Sequence, residues 1–159
     1  KTANFFIELL LIRLSVMGMS NFFKSIRKEK PAVSETTPYY RIGGEDKVRL
    51  LANRFYDIMR DDPIAKELYA IHPQPTDRIR EVFFLYLSLW LGGPDTYQQQ
   101  YGHPRLRSRH LSFSVTPELK DQWMYCMRKA MHETVDDLPL AQQLLNALDQ
   151  LATHMINTK

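Results

Sequence analysis

A single cysteine, Cys126, in 159 residues leaves no partner for an internal disulfide and no second thiolate for a zinc site. A reducing compartment, the cytoplasm, is the natural expectation. Six glycines and nine prolines exclude collagen-like and low-complexity chains. No short segment reads as a β-strand. Long apolar runs are missing too. Residues 5–17 are strongly apolar but broken by Glu8 and Arg13, and they fall short of the roughly 20 residues that a spanning helix needs. No small-residue cleavage pattern follows them, which argues against a secretory signal. What remains is an ordinary soluble composition, 44% hydrophobic and 25% charged, in a length that suits one domain with a modest extension.

The net charge of +3 invites a nucleic-acid reading, but its placement argues otherwise. Lys1, Arg13, Lys24, Arg27, Lys28, Lys30 and Arg41 face only Glu8, Glu29 and Glu35 in the front segment. The chain beyond residue 41 is close to neutral, so no nucleic-acid partner is expected. Residues 28–38 carry two prolines, mostly polar side chains and no period, as a linker does. Residues 1–38 therefore read as a leader and linker, with Met17 and Met19 each preceding a more ordinary polar start. A membrane-surface anchor within residues 1–30, helped by Lys24, Arg27, Lys28 and Lys30, is the alternative.

From Tyr40 onward the apolar spacing is helical. Val48, Leu51, Ala52, Phe55, Tyr56 and Met59 share one face of a helix that follows Gly43-Gly44 and stops at Asp61-Asp62-Pro63. Ile64–Tyr69 reads as a short helix, and Pro73 and Pro75 mark a turn with Thr76 as the next N-cap. Ile79, Val82, Phe83, Tyr86, Leu87 and Trp90 trace a second stripe, ended by Gly92-Gly93-Pro94. An irregular loop is expected over 92–106. Thr116-Pro117-Glu118 opens a helix bearing Trp123, Cys126, Met127, Ala130 and Met131. Beyond Asp136-Asp137 and Pro139, a last helix carries Leu140, Leu144, Leu148, Leu151 and Met155. The expectation is an all-α domain of five or six helices.

A long loop in the middle of a small helical protein is uncommon unless it serves a site. This one leads into Arg105-Leu106-Arg107-Ser108-Arg109-His110, three bases and an imidazole in one turn's length. Composition alone favours a solvated basic loop; the sharper reading is a segment that meets an anion and a metal. The string Gly102-His103-Pro104-Arg105-Leu106-Arg107-Ser108-Arg109-His110 resembles the proximal signature of group II truncated haemoglobins. The resemblance extends in order through Gly43-Gly44, Phe55-Tyr56-Asp57, Gly92-Gly93-Pro94, Tyr97, and Trp123 with Cys126-Met127, over about residues 39–157. It implies a truncated globin domain over residues 39–159, folded as a two-over-two helical sandwich around one haem b.

The resemblance selects His110 as the iron ligand from among His72, His103, His110, His132 and His154; spacing alone leaves that choice open. It places Tyr56, Tyr69 and Trp123 on the opposite, distal side as donors to the gas ligand. Phe83 falls where relatives more often carry a smaller aliphatic residue, and Ile79 where a distal histidine would stand. Arg109, with Arg107 or Arg105, is implied at the haem propionates, with Tyr97 near them. Phe55, Leu87, Leu106 and Met127 are implied as haem-wall residues. The competing reading of each aromatic is core packing with a satisfied polar tip.

The function implied is binding of oxygen, nitric oxide or carbon monoxide at ferrous iron. A polar distal side would also suit nitric oxide dioxygenation or peroxidase-like chemistry. Either needs an unidentified reductase, since no strand precedes the glycine pairs as a dinucleotide fingerprint demands. A haem-based sensor, or a helical interaction module without haem, completes the alternatives.

Overall fold

The computed structural model describes residues 36–158. The expected leader, with its apolar run and most of the basic cluster, lies outside the described residues. Pro38, assigned to the linker, already opens helix α1 (Pro38–Arg41). The following elements are α2 (Gly44–Asp61), a 3-10 turn (Pro63–Ala65), α3 (Lys66–Ile71), α4 (Asp77–Trp90), α5 (Thr96–Tyr101), α6 (Leu106–His110), α7 (Pro117–Thr134) and α8 (Leu138–Met155). No strand occurs among the described residues, and none of their helices is long and apolar enough to cross a membrane. The helix count exceeds the expected five or six. The stretch 92–106, read as irregular, contains α5, and the basic segment itself is the single turn α6.

Helix α2 packs on α4 and on α7, and α7 packs on α8, giving the expected two-over-two arrangement. The contact face of α2 is the periodic one: Val48, Leu51, Ala52, Phe55, Tyr56 and Met59 are all buried, joined by Ile58. Gly43 precedes it at φ +109°, a left-handed conformation that costs a glycine least. Asp62 ends α2 and ties three pieces together. Its carboxylate accepts from Ile64 N (3.1 Å), Tyr125 Oη (2.7 Å) and Lys129 Nζ (3.1 Å), and these bonds hold its carboxyl below the usual range. Thr116 and Asp137 cap α7 and α8 through Leu119 N and Leu140 N. Thr76 does not cap α4: its own backbone is already helical, and its hydroxyl accepts from Arg80 Nε (3.0 Å) instead. Cys126 is fully buried in α7, and burial pushes its thiol up to about 12. It packs as a small apolar residue with little nucleophilic character.

The turn after α4 is shaped by contact with α1. Tyr39 is 5% exposed, donates N–H to Leu91 O (3.0 Å) and lays its ring over Gly93. A Cβ on Gly93 would stand 2.4 Å from that ring. Gly93→Ala is expected to cost about 1–3 kcal/mol through overpacking, seen as a lower urea midpoint. An unchanged midpoint would show that the Tyr39 ring moves aside freely.

Candidate haem site

Helix α6 delivers His110. Arg105 stands before it with φ 44°, in the left-handed region, and its N–H donates to His103 Nδ1 (3.2 Å). That bond turns His103 into its own loop. His110 Nδ1 lies 2.7 Å from the carbonyl of Leu106, one turn earlier, so this nitrogen carries the proton. The Nε2 lone pair is then the free one, the tautomer that an axial imidazole requires. Among the described residues no group of three or more His, Cys, Asp or Glu converges on a metal position. A single imidazole such as His110 suits an ion whose other ligands come from a tetrapyrrole.

Four aromatic side chains from three helices form the second half of the site. Phe55 and Tyr56 come from α2, Phe83 from α4 and Trp123 from α7. Phe55 is central, with ring centroids 5.1 Å from Tyr56, 5.0 Å from Phe83 and 5.2 Å from Trp123. Phe83 lies 5.8 Å from Tyr56 and 6.3 Å from Trp123. Tyr56 is only 3% exposed, yet its hydroxyl has no hydrogen-bond partner among the described residues. Burial raises its pKa far above the usual value, against the opposing pull of Arg80, so it is a neutral O–H donor. That O–H is available to a ligand that accepts a hydrogen bond.

His72, which closes α3 beside Pro73, joins this cluster. It follows α3 with Nδ1 2.7 Å from Leu68 O, the same arrangement that His110 makes with Leu106. Its ring meets Tyr56 edge-on at 5.8 Å. Burial lowers its pKa first, the Leu68 carbonyl opposes, and the charge of His110 lowers it further, so the two imidazoles lie within electrostatic reach. Tyr69 stands apart. Its hydroxyl donates to Gln74 Oε1 (3.0 Å) on the exposed side, and its ring touches none of the four aromatics.

The remaining expected residues divide by position. Leu87 and Met127 are buried in the main core with Phe55. Leu106 lines a groove of about 430 Å³ between the ends of α4 and α8, floored by Leu89, Trp90, Leu151 and Met155, with His103, Arg105, Arg107 and His154 on its walls. Arg109 donates from Nε to Pro104 O (2.6 Å) and from Nη2 to Tyr101 O (3.3 Å), bracing the loop that carries α6. Its positive charge reaches Tyr97, which packs between Tyr86 and Tyr101 at 5.8 and 5.3 Å and whose pKa burial raises.

The small all-α stack, α2 on α4 and α7 on α8, is the fold of a two-on-two globin. The bacterial-like globin family matches residues 37–157. A group 2 truncated hemoglobin of Bacillus subtilis is 35% identical over 124 residues, covering 78% of this chain and 91% of its own. A cold-adapted truncated hemoglobin from the Antarctic bacterium Pseudoalteromonas haloplanktis is 52% identical with TM-score 0.77, covering 78% of this chain and all of that one. A group II 2-on-2 hemoglobin from Agrobacterium tumefaciens is 40% identical, also with TM-score 0.77, covering 80% and 100%. The chain belongs to the bacterial-like globins, as a group II truncated haemoglobin. Family membership implies a haem protein that binds diatomic gases.

Proposed function

We propose that the protein holds one haem b per chain through His110 and binds oxygen, with Tyr56 and Trp123 donating hydrogen bonds to the gas. The observation that carries this reading is the hydroxyl of Tyr56, on a 3%-exposed residue inside an aromatic cage and without a hydrogen bond among the described residues. When bound, the haem supplies a ferrous iron at which a diatomic gas gathers negative charge. Tyr56 and the indole N–H of Trp123 give that charge neutral donors, and Phe55 and Phe83 keep bulk water away. His72, beside Tyr56, adds an imidazole to the same side. Leu106 forms the wall below, and Arg109 Nη1, unpaired among the described residues, is left to meet a propionate. We extend the reading to nitric oxide and carbon monoxide as further ligands, to a separate reductase wherever turnover occurs, and to the reducing cytoplasm that suits the lone thiol of Cys126. The globin domain is taken as residues 39–159.

The test is a hemin titration of the purified chain, followed by ferrous and carbon monoxide spectra. A Soret band that saturates at one haem per chain and shifts on adding carbon monoxide is expected. No Soret band after reconstitution would defeat the reading.

A further inference from the structure

Helix α6 has little to hold it. It is one turn of five residues, none of them buried, and such a turn does not persist on its own. At its two ends Arg109 N donates to Arg105 O at 3.1 Å and Phe113 N to His110 O at 3.5 Å. The missing support comes from the residues just beyond α8. Asn157 Nδ2 donates to the carbonyls of His110 (2.7 Å) and Phe113 (3.0 Å). Its Oδ1 accepts from Val115 N (2.9 Å), and its own N–H donates to Val115 O (3.1 Å). Every polar group that Asn157 offers on this side is used to clasp the segment running from α6 to α7. Thr158 reinforces the clasp through Asn157 Oδ1 (3.0 Å) and Ser114 Oγ (2.8 Å) without touching His110. Arg107 closes it from the α6 side by donating to the carbonyl of His154.

We propose that Asn157 is a positioning residue for the iron ligand, fixing the main chain of His110 and thereby the tilt and strength of its bond to haem. The proposal rests on the reading of His110 as that ligand. The imidazole is anchored at two points. Nδ1 is bound to Leu106 O, which sets the ring's rotation, and the His110 carbonyl is bound to Asn157, which sets where the ring starts from. Both anchors lie outside the iron's own bonding, as ligand-orienting partners do, and losing such a partner weakens metal retention roughly 10–100-fold. Asn is suited to the place because its amide faces two carbonyl acceptors and two donors at once; a carboxylate keeps the bonds to Val115 N and Thr158 Oγ1 but turns a second oxygen toward two carbonyls.

The test compares haem-loaded wild type with Asn157→Ala, Asn157→Asp and Thr158→Ala. The readouts are the iron–histidine stretching band of the five-coordinate ferrous form and the rate of haem transfer to an acceptor globin. Asn157→Ala is expected to shift or broaden the band and release haem about tenfold faster, with Asn157→Asp worse. Thr158→Ala, a structural change to the same clasp, is expected to leave the band in place. Should Asn157→Ala fail to fold by circular dichroism, Asn157→Gln keeps the amide one methylene out of position and is expected to move the band in its place. A band unmoved in a folded Asn157 variant, with wild-type haem release, overturns the proposal. A band that survives His110→Ala instead overturns the ligand reading beneath it, so the two failures are distinct.

Discussion

His110→Ala is expected to abolish the iron–histidine band and to raise haem loss beyond the roughly 10–100-fold that follows loss of a ligand's supporting partner. Among the five histidines, His110 alone combines the proximal motif with a free Nε2 on a braced segment. His103 spends its Nδ1 on Arg105 N within its own loop, and His154 lies at the end of α8. Alanine at either of those positions is therefore expected to leave the band intact. The substitution at His110 removes no core side chain, because α6 buries none. Helical circular dichroism should survive, since the α2–α7 and α7–α8 contacts are untouched. His110→Gly with added imidazole separates ligation from fold: returning the free ring should restore the Soret band. Retention of wild-type ferrous and ferric spectra in His110→Ala would remove His110 from the iron.

The long helices were readable because burial there follows the 3.6-residue period. The stripe from Val48 to Met59 is buried throughout; on α4 the buried residues are Phe84, Leu85, Leu87 and Ser88, while Ile79, Val82, Phe83, Tyr86 and Trp90 of the expected stripe are only partly buried against the core. The short helix expected over Ile64–Tyr69 is there as the 3-10 turn and α3, but α5 and α6 were not readable, for a physical reason. Helix α5 carries Gln98, Gln99 and Gln100, and α6 alternates bases with Leu106, so neither offers an apolar repeat to detect. They are held by specific polar bonds instead: Arg109 on the nearby carbonyls of Tyr101 and Pro104, and Asn157, 47 residues away, on His110. His72 escaped for a related reason. A side chain after a helix end is aimed by its bond to Leu68 O, not by periodicity, and only the fold brings Tyr56 beside it. Thr76 shows the converse case. A good capping residue was present, but the helical backbone at that position and the pull of Arg80 gave its hydroxyl another partner. The resemblance pointed to Tyr56, Trp123 and His110 through side-chain identity, which, unlike loop geometry, is written directly in the sequence.

Tyr56→Phe is expected to speed oxygen dissociation by roughly 10–150-fold, the equivalent of losing one hydrogen bond of about 1.5–3 kcal/mol to a charged partner. Stopped-flow displacement of oxygen by carbon monoxide measures it. The same substitution is expected to leave the haem-free protein about as stable, because it deletes a hydroxyl that makes no hydrogen bond among the described residues and leaves a ring of the same shape. The contrast matters. A residue that merely packs would move stability and ligand release together, whereas a donor reserved for the gas moves only the second. Phe55 and Phe83, which contact Tyr56 at 5.1 and 5.8 Å, provide the packing contrast: trimming either to alanine should cost stability first. Trp123→Phe tests the second donor. It contacts Phe55 and Phe83 but not the Tyr56 ring, so a double-mutant cycle with Tyr56→Phe should show coupling only when the gas is bound. An oxygen dissociation rate unchanged by Tyr56→Phe would leave its hydroxyl without a role at the ligand, and would shift the distal donor to His72 or Trp123.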